Sequence, residues 1–357
     1  MSEFKFHAPD SAREGAWVKT LDEYRKMYQR SVEDPDGFWA EIAEEYTWFD
    51  KWSAVRQHNY DVREGPIRIQ WFSGAKTNIT VNCLDRHLET RGDQIALIWE
   101  GNQPSEDRTI TYQELHTEVS KFANVLRARG VKKGDRVSIY MPMVPELAIA
   151  MLACARIGAI HSIVFGGFSS EALADRIVDS ECRVLVTTDG VYRGKKAVPL
   201  KGNADRAMQK CQQDHNHQVE HCFVVRRTGQ DVPMQEGRDH WWHEEMATAE
   251  AVCEPEAMDA EDPLFILYTS GSTGKPKGVQ HNVGGYMVYT GTTFKHVFDY
   301  HDGDVWWCTA DIGWVTGHSY IVYGPLSQGA TSIMFEGVPT FPDPGRFLAV
   351  VDKWKVN

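Results

Sequence analysis

Long apolar runs are missing from this chain. No stretch of eighteen apolar residues occurs in its 357 residues, so no membrane-spanning helix is expected. The first residues, MSEFKFHAPDSAREG, also lack the basic start and apolar run of a secretory signal. Positive charge is in deficit, with 38 Lys and Arg against 50 Asp and Glu and a formal net charge of −12. General affinity for nucleic acid or for an anionic membrane is therefore not expected, and a small anionic ligand needs a dedicated pocket. Cysteine occurs seven times, at Cys83, Cys154, Cys182, Cys211, Cys222, Cys253 and Cys308. The spacing does not repeat and the number is odd, which disfavours a disulfide framework and fits a reducing cytoplasm. What is present is a globular composition, 42% hydrophobic and 25% charged, long enough for two or three cores.

Residues 1–80 are rich in Trp and Tyr, with helical patches such as LDEYRKMYQRSVEDPDGFWAEIAEEY, and read as a leading cap. From Thr109 the pattern becomes regular. Thr111 and Glu114 form a capping box; Leu115, Val119, Phe122 and Leu126 follow at helical spacing, and Gly130 ends the helix. RVSIYM (136–141) is a strand, and PELAIAMLACARIG (145–158) is a helix that opens on Pro. IHSIVF and RVLVTT are further strands with the helical SSEALADRIVDSE between them. This alternation predicts an α/β fold with a parallel sheet and right-handed crossovers. Ligands gather beyond the carboxyl ends of such strands, where Gly166 and Gly167 fall.

Two stretches invite a metal reading. In CQQDHNHQVEHC, Cys211, His215, His217, His221 and Cys222 lie close together, but not as the separated pairs of a zinc site. A polar helix end and a turn before a strand is the simpler account. DHWWHEEM lacks the H-E-x-x-H arrangement. Neither stretch is assigned metal ligands.

YTSGSTGKPKGVQH (268–281) is different in kind. LFILYTS reads as a buried strand, KGVQH as the start of another, and the piece between as their connection. Gly271 and Gly274 permit positive φ and close backbone approach, so that successive N–H groups can face anionic oxygens. Thr269, Ser270, Ser272 and Thr273 add hydroxyls, and Lys275 and Lys277 add charge. Phosphate suits this chemistry. The Walker pattern fails, since Thr stands at 269 where it needs Gly and Pro at 276 where it needs Ser or Thr. Pro276 also favours an extended Lys275, so the phosphates are not expected on a helix N-terminus.

This loop resembles the signature of the adenylate-forming superfamily. Within it, WFSGAKTNITVNCLDRHLETRGDQIALIWEGN (71–102) and DVWWCTADIGWVTGHSYIVYGPLSQGATSIMFEGVP (304–339) resemble the acetyl-CoA synthetases. The likeness runs through essentially the whole chain. It implies the superfamily's N-terminal domain, stacked α/β/α sheets with parallel βαβ units. Residues 1–80 would then be the leading segment of those enzymes, and residues 81–357 an incomplete AMP-binding domain. It also implies acid–thiol ligase chemistry: ATP, acetate and coenzyme A give acetyl-CoA, AMP and pyrophosphate through an acetyl-adenylate. Lys277, with the glycines and hydroxyls of 269–274 and Lys275, would grip the ATP phosphates.

By the same resemblance, Val315 and Thr316 line the acyl pocket, with Thr316 also near the coenzyme A path. Arg193, Gly194, Lys195 and Lys196 match the coenzyme A nucleotide site, where Lys196 offers a point charge in place of an arginine fork. Gly167 would let coenzyme A or adenine approach the backbone. Thr340 stands at a coenzyme A contact where bacterial relatives often carry Asn. Family members continue beyond Asn357 through adenine-binding motifs and a C-terminal lid, so the chain is expected to be a partial enzyme, inactive alone, with Mg2+ ligands outside it. A phosphate- or coenzyme A-binding module without catalysis, and a ligase for another short acid such as propionate, stay open as alternatives.

Overall fold

The apolar runs between residues 136 and 269 form the centre of a seven-stranded sheet in a computed structural model that describes residues 8–269 and 274–357. The strands lie in the order Asp239–Trp241, His221–Val225, Val184–Thr188, Arg136–Met141, Ile160–Phe165, Pro263–Thr269 and Lys277–Asn282. Neighbours run parallel except for the last two, which pair antiparallel. Both faces are covered. Val137, Ile139 and Met141 pack into one core with helices Tyr112–Ala128 and Pro145–Arg156, while Tyr140 joins a second core with helices Ser170–Asp179 and Lys201–His215. Burial on both faces is why these strands read as continuous apolar runs rather than alternating ones.

Local signals set the helix ends as expected. Thr111 Oγ1 accepts from Glu114 N at 3.1 Å, and the Glu114 carboxylate accepts from Thr111 N at 2.8 Å; a cap of this kind stabilises by about 1 kcal/mol. Gly130 follows with φ +81°. Ser169 caps the helix after the Gly166–Gly167 turn, accepting from Ala172 N at 3.3 Å.

The stacked arrangement that the resemblance implies includes a second sheet, whose strands the sequence pattern did not mark. Its order is Val305–Trp307, Thr331–Phe335, Ile95–Glu100 and Asp107–Thr111, parallel except for the final pair. Buried Glu100 ties the helix Arg346–Trp354 to it, meeting Arg346 at 2.7 Å, Lys353 at 2.8 Å and Trp354 Nε1 at 2.7 Å. The leading segment supplies helices Leu21–Glu33 and Pro35–Ala43 and an antiparallel hairpin of Ala54–Asn59 with Arg68–Ser73. Ala43, Tyr46, Phe72 and Ala75 are buried in the same core as the large sheet. Among the described residues no helix is long and apolar enough to cross a membrane.

One consequence of the strand order positions the site. The connection leaving Ile160–Phe165 crosses back past Arg136–Met141, whereas that leaving Pro263–Thr269 goes outward to the edge strand. A crevice opens where neighbouring connections part in this way.

Candidate functional site

Phe165, the last residue of its strand, is the centre on which the site is built. A Cβ on Gly167 would fall 2.4 Å from the Phe165 ring, so the turn after the strand folds directly over that ring only because position 167 has no side chain. The Arg193 guanidinium lies 5.6 Å from the same ring's centroid, within cation–π range. A Cβ on Gly313 would meet Phe165 Cβ at 3.1 Å, so the segment leading to Trp314, Val315 and Thr316 also reaches this point. Sequence reading did not single out Phe165, because it is simply the last apolar residue of IHSIVF.

The basic stretch is a hairpin, Gly190–Arg193 paired with Lys196–Pro199, and it is anchored at both ends. At the base, the fully buried Asp189 carboxylate accepts from the backbone N–H groups of Gly190 (2.7 Å), Arg227 (2.8 Å), Thr228 (2.9 Å) and Gly229 (2.7 Å). At the tip, Gly194 takes φ +61°. Its N–H donates to Asn102 Oδ1 at 3.0 Å, and Asn102 Nδ2 donates back to Gly194 O at 2.8 Å. Arg227 braces the first strand, Gly190–Arg193. Its guanidinium lies 4.8 Å from the Tyr192 ring centroid and pairs with Glu336 at 2.8 Å and Glu106 at 2.9 Å. Lys195 and Lys196 are left exposed, while Arg193 is half-buried. Phe341 packs beside Gly194 and carries exposed Thr340 to the hairpin tip.

Asp311 organises the opposite wall. Its Oδ1 accepts from Gly313 N at 2.7 Å and its carbonyl from Trp314 N at 3.1 Å. A Cβ on Gly317 would come within 2.4 Å of that carbonyl, which accounts for the glycine in GWVTGH. Burial pushes the Asp311 carboxyl above its usual range, against the opposing pull of the Gly313 N–H and of Arg193. The resulting turn holds Trp314 and Val315 outward, 57% and 43% exposed, so neither is a core residue. Val315 opens into an apolar groove of about 630 Å³ walled by Trp39, Ile69, Trp71, Tyr286 and Tyr289. Thr316 lies exposed on the same turn, outside that lining.

The glycine-rich connection starts one strand over. Phe265 and Ile266 pair with His161 and Ser162, so the register carries Thr269 level with Phe165. Thr269 pairs in turn with Lys277, and both are exposed. Gly274 takes φ +85°. Lys275 is exposed and lines a separate cleft with Arg176, Asp179 and Tyr268. Ser270, Gly271, Ser272 and Thr273 lie outside the described residues.

The histidine and cysteine stretch is a helix end, a turn and a strand start. The helix stops at His215, Asn216 is left-handed, and the strand begins at His221. Cys211 and Cys222 are buried, His217 Nε2 bonds to Cys182 O at 2.7 Å, and His221 Nδ1 meets His240 Nε2 at 3.1 Å. Among the described residues no group of three or more His, Cys, Asp or Glu side chains is placed to hold a metal ion.

Comparison with known proteins finds relatives of this chain. A family model described as AMP-binding enzyme matches residues 84–357, and one described as acetyl-coenzyme A synthetase N-terminus matches residues 24–83. The chain is 57% identical over 358 residues to a Magnetococcus marinus protein named acetyl-coenzyme A synthetase, covering 100% of this chain and 54% of the relative. It is 57% identical over 359 residues to acetyl-coenzyme A synthetase 2 of Pseudomonas aeruginosa, with the same 100% and 54% coverage. It is 60% identical over 338 residues to the Pseudomonas putida protein of that name, covering 95% of this chain and 51% of the relative. The chain spans about half the length of the curated relatives it matches.

Proposed function

The chain belongs to the AMP-binding enzyme family, and from that premise we propose that it carries the phosphate, acyl and coenzyme A contacts of an acetate–CoA ligase. In that reaction acetate attacks the α-phosphate of ATP, pyrophosphate leaves, and the coenzyme A thiol displaces AMP from the acetyl-adenylate. The observation that carries the reading is the meeting of three distant segments at Phe165: the Gly167 turn, the Arg193 hairpin and the Asp311–Thr316 turn. Two of these are assigned to coenzyme A and one to the acyl group, and the root of the glycine-rich connection lies one strand away. Residues 1–80 are assigned as the leading segment and 81–357 as the AMP-binding domain. Seven free cysteines fit a cytoplasmic setting.

Each side chain has a task in this scheme. Thr269, Gly274, Lys275 and Lys277, with residues 270–273, meet the triphosphate. Fixed donors of this kind act on charge that develops during phosphoryl transfer without having to reorganise. Arg193, Lys195 and Lys196 face the coenzyme A phosphates from a hairpin whose backbone is held at both ends, and Gly167, Thr316 and Thr340 border its path. Among the described residues no group of three or more His, Cys, Asp or Glu side chains converges, so a magnesium ion here would rest chiefly on phosphate oxygens and water.

Calorimetric titration of the chain with coenzyme A and with its 3′-dephospho form tests the basic hairpin. Coenzyme A should bind about tenfold tighter, the worth of one charge-assisted contact. Equal binding, or none, overturns the coenzyme A assignment.

Val315 addresses acid length. Removing its two methyls in a polypeptide that extends this sequence to the length of its relatives should move the acetate-to-propionate kcat/KM ratio about tenfold towards propionate, since one methylene is worth about 1–3 kcal/mol. A ratio that stays put places Val315 outside the acyl site.

A further inference from the structure

Arg176 is only 8% exposed, and its guanidinium is held mainly by rings. It donates to Ala172 O at 2.6 Å and lies 4.8 Å from the ring centroid of Phe168 and 5.5 Å from that of Tyr268. A cation gains more from aromatic faces the less water it keeps, and Arg176 keeps little. Phe168 follows the Gly166–Gly167 turn and meets Phe165 edge-on, with centroids 5.6 Å apart. Tyr268 immediately precedes Thr269. Its hydroxyl donates to Asp179 Oδ2 at 2.6 Å, across 89 residues of sequence. Its ring lies over the neighbouring strand, where a Cβ on Gly278 would come within 3.3 Å of it.

These contacts form one unbroken row from Arg193 through Phe165, Phe168 and Arg176 to Tyr268 and Asp179. The row joins the two neighbouring strand ends from which the coenzyme A turn and the glycine-rich connection depart. We propose that Arg176 and Tyr268 are positioning residues that lock the Phe165–Phe168 turn to the root of the phosphate loop, so that the two subsites shift as one body. Coupling between sites is carried by packed side chains of this kind, and its proof is a response at one site to a change at the other. The functional meaning rests on the ATP and coenzyme A reading above; the mechanical link does not.

Amide hydrogen exchange on the chain, with Tyr268→Phe and Arg176→Met, tests the link without any ligand. Tyr268→Phe keeps the ring and loses only the hydroxyl; Arg176→Met keeps an apolar stem and loses the planar cation. Each variant should speed exchange about tenfold at both ends of the row, at Phe168 and Ala172 on one side and at Lys277, Gly278 and Val279 on the other. The strand Arg136–Met141 should keep its protection. Faster exchange on the substituted side alone overturns the link, and so does equal acceleration in Arg136–Met141, which would mark general loss of stability. Titration of the wild-type chain with ATP and coenzyme A separates the two ideas. A chain that binds neither ligand yet shows the two-ended exchange response keeps the link and loses the functional reading.

Discussion

Lys277→Ala should lower acetate-dependent exchange of pyrophosphate into ATP by about 10²–10³, the usual cost of one positioned donor in a charge-stabilising site. The measurement belongs in a polypeptide that extends this sequence to the length of its relatives. Lys277 opens the edge strand of the large sheet and pairs through its backbone with Thr269, at the root of the glycine-rich connection. Its side chain is exposed. Truncation therefore removes charge without opening a cavity or stranding a buried carboxylate, and the thermal midpoint should stay within the small range typical of surface substitutions. Exchange that survives at the wild-type rate removes Lys277 from the phosphate role. A large fall in the midpoint would instead make its role structural.

Mild acid should destabilise the fold strongly, and the cause lies under the site. His161 and His318 are fully buried, with ring centroids 5.4 Å apart, in an aromatic stack with Phe265 and Tyr323. His318 begins a π-helical segment, His318–Tyr323, just after the Val315–Thr316 turn. Its Nδ1 bonds to Trp314 O at 3.2 Å, so the proton sits on Nδ1 and Nε2 is left deprotonated. Burial drives the His318 pKa down to about 4 and that of His161 well below its ordinary 6.5. Burial, aided by Arg86 and Arg91, also lowers that of His87 to about 4.

The unfolded chain protonates these rings near pH 6.5 and the folded chain does not, so the stability they provide is complete above pH 6.5 and is lost as pH falls towards 4. For His318 and His87 a displacement of that size corresponds to about 3 kcal/mol each, against a total stability of about 5–15 kcal/mol. Glu336 opposes them. Burial raises its folded pKa to about 6 despite Arg227, so it favours the folded state on the acid side, and the Asp311 and Glu146 carboxyls, also raised by burial, act in the same sense; against them stand the three rings and His221, His240, His281 and His296, which burial lowers as well. Urea unfolding at pH 7.5 and pH 5 should show a clearly lower midpoint in acid. An unchanged midpoint would mean that these rings reach solvent in the native protein.

The parts of the fold that the sequence announces are those written in short-range physics. The capping box at Thr111, Pro145 at a first helical position and the apolar strands 136–141 and 160–165 each depend on residues within one or two turns. The four-stranded sheet was hidden because its middle strands, Ile95–Glu100 and Thr331–Phe335, come from opposite halves of the chain. Neither half shows a pattern until the other is present. The same holds for the site. Asn102 meets Gly194 across 92 residues, and Arg227 meets Glu106 and Glu336 across 121 and 109. Glycines were legible as freedom in 271 and 274, but Gly167, Gly313 and Gly317 are set by the walls against which they press, Phe165 and Asp311. Phe165 and Asp311 stand only a few residues before Gly167 and Gly317, but how closely they press depends on the turn geometry, and Phe165 reaches Gly313 only in the folded chain.

The hairpin 190–199 separates what holds its shape from what faces solvent. Asp189, Gly190, Gly194 and Asn102 keep its backbone in place, whereas Lys195, Lys196, Ala197 and Val198 project outward from it. Exposed positions of this kind accept most replacements within about 0.5 kcal/mol. A lineage can therefore add, remove or reverse charge along this arm by single steps that leave the fold intact, shifting the arm's electrostatic character generation by generation, while the four anchors drop out of the pool of variation altogether.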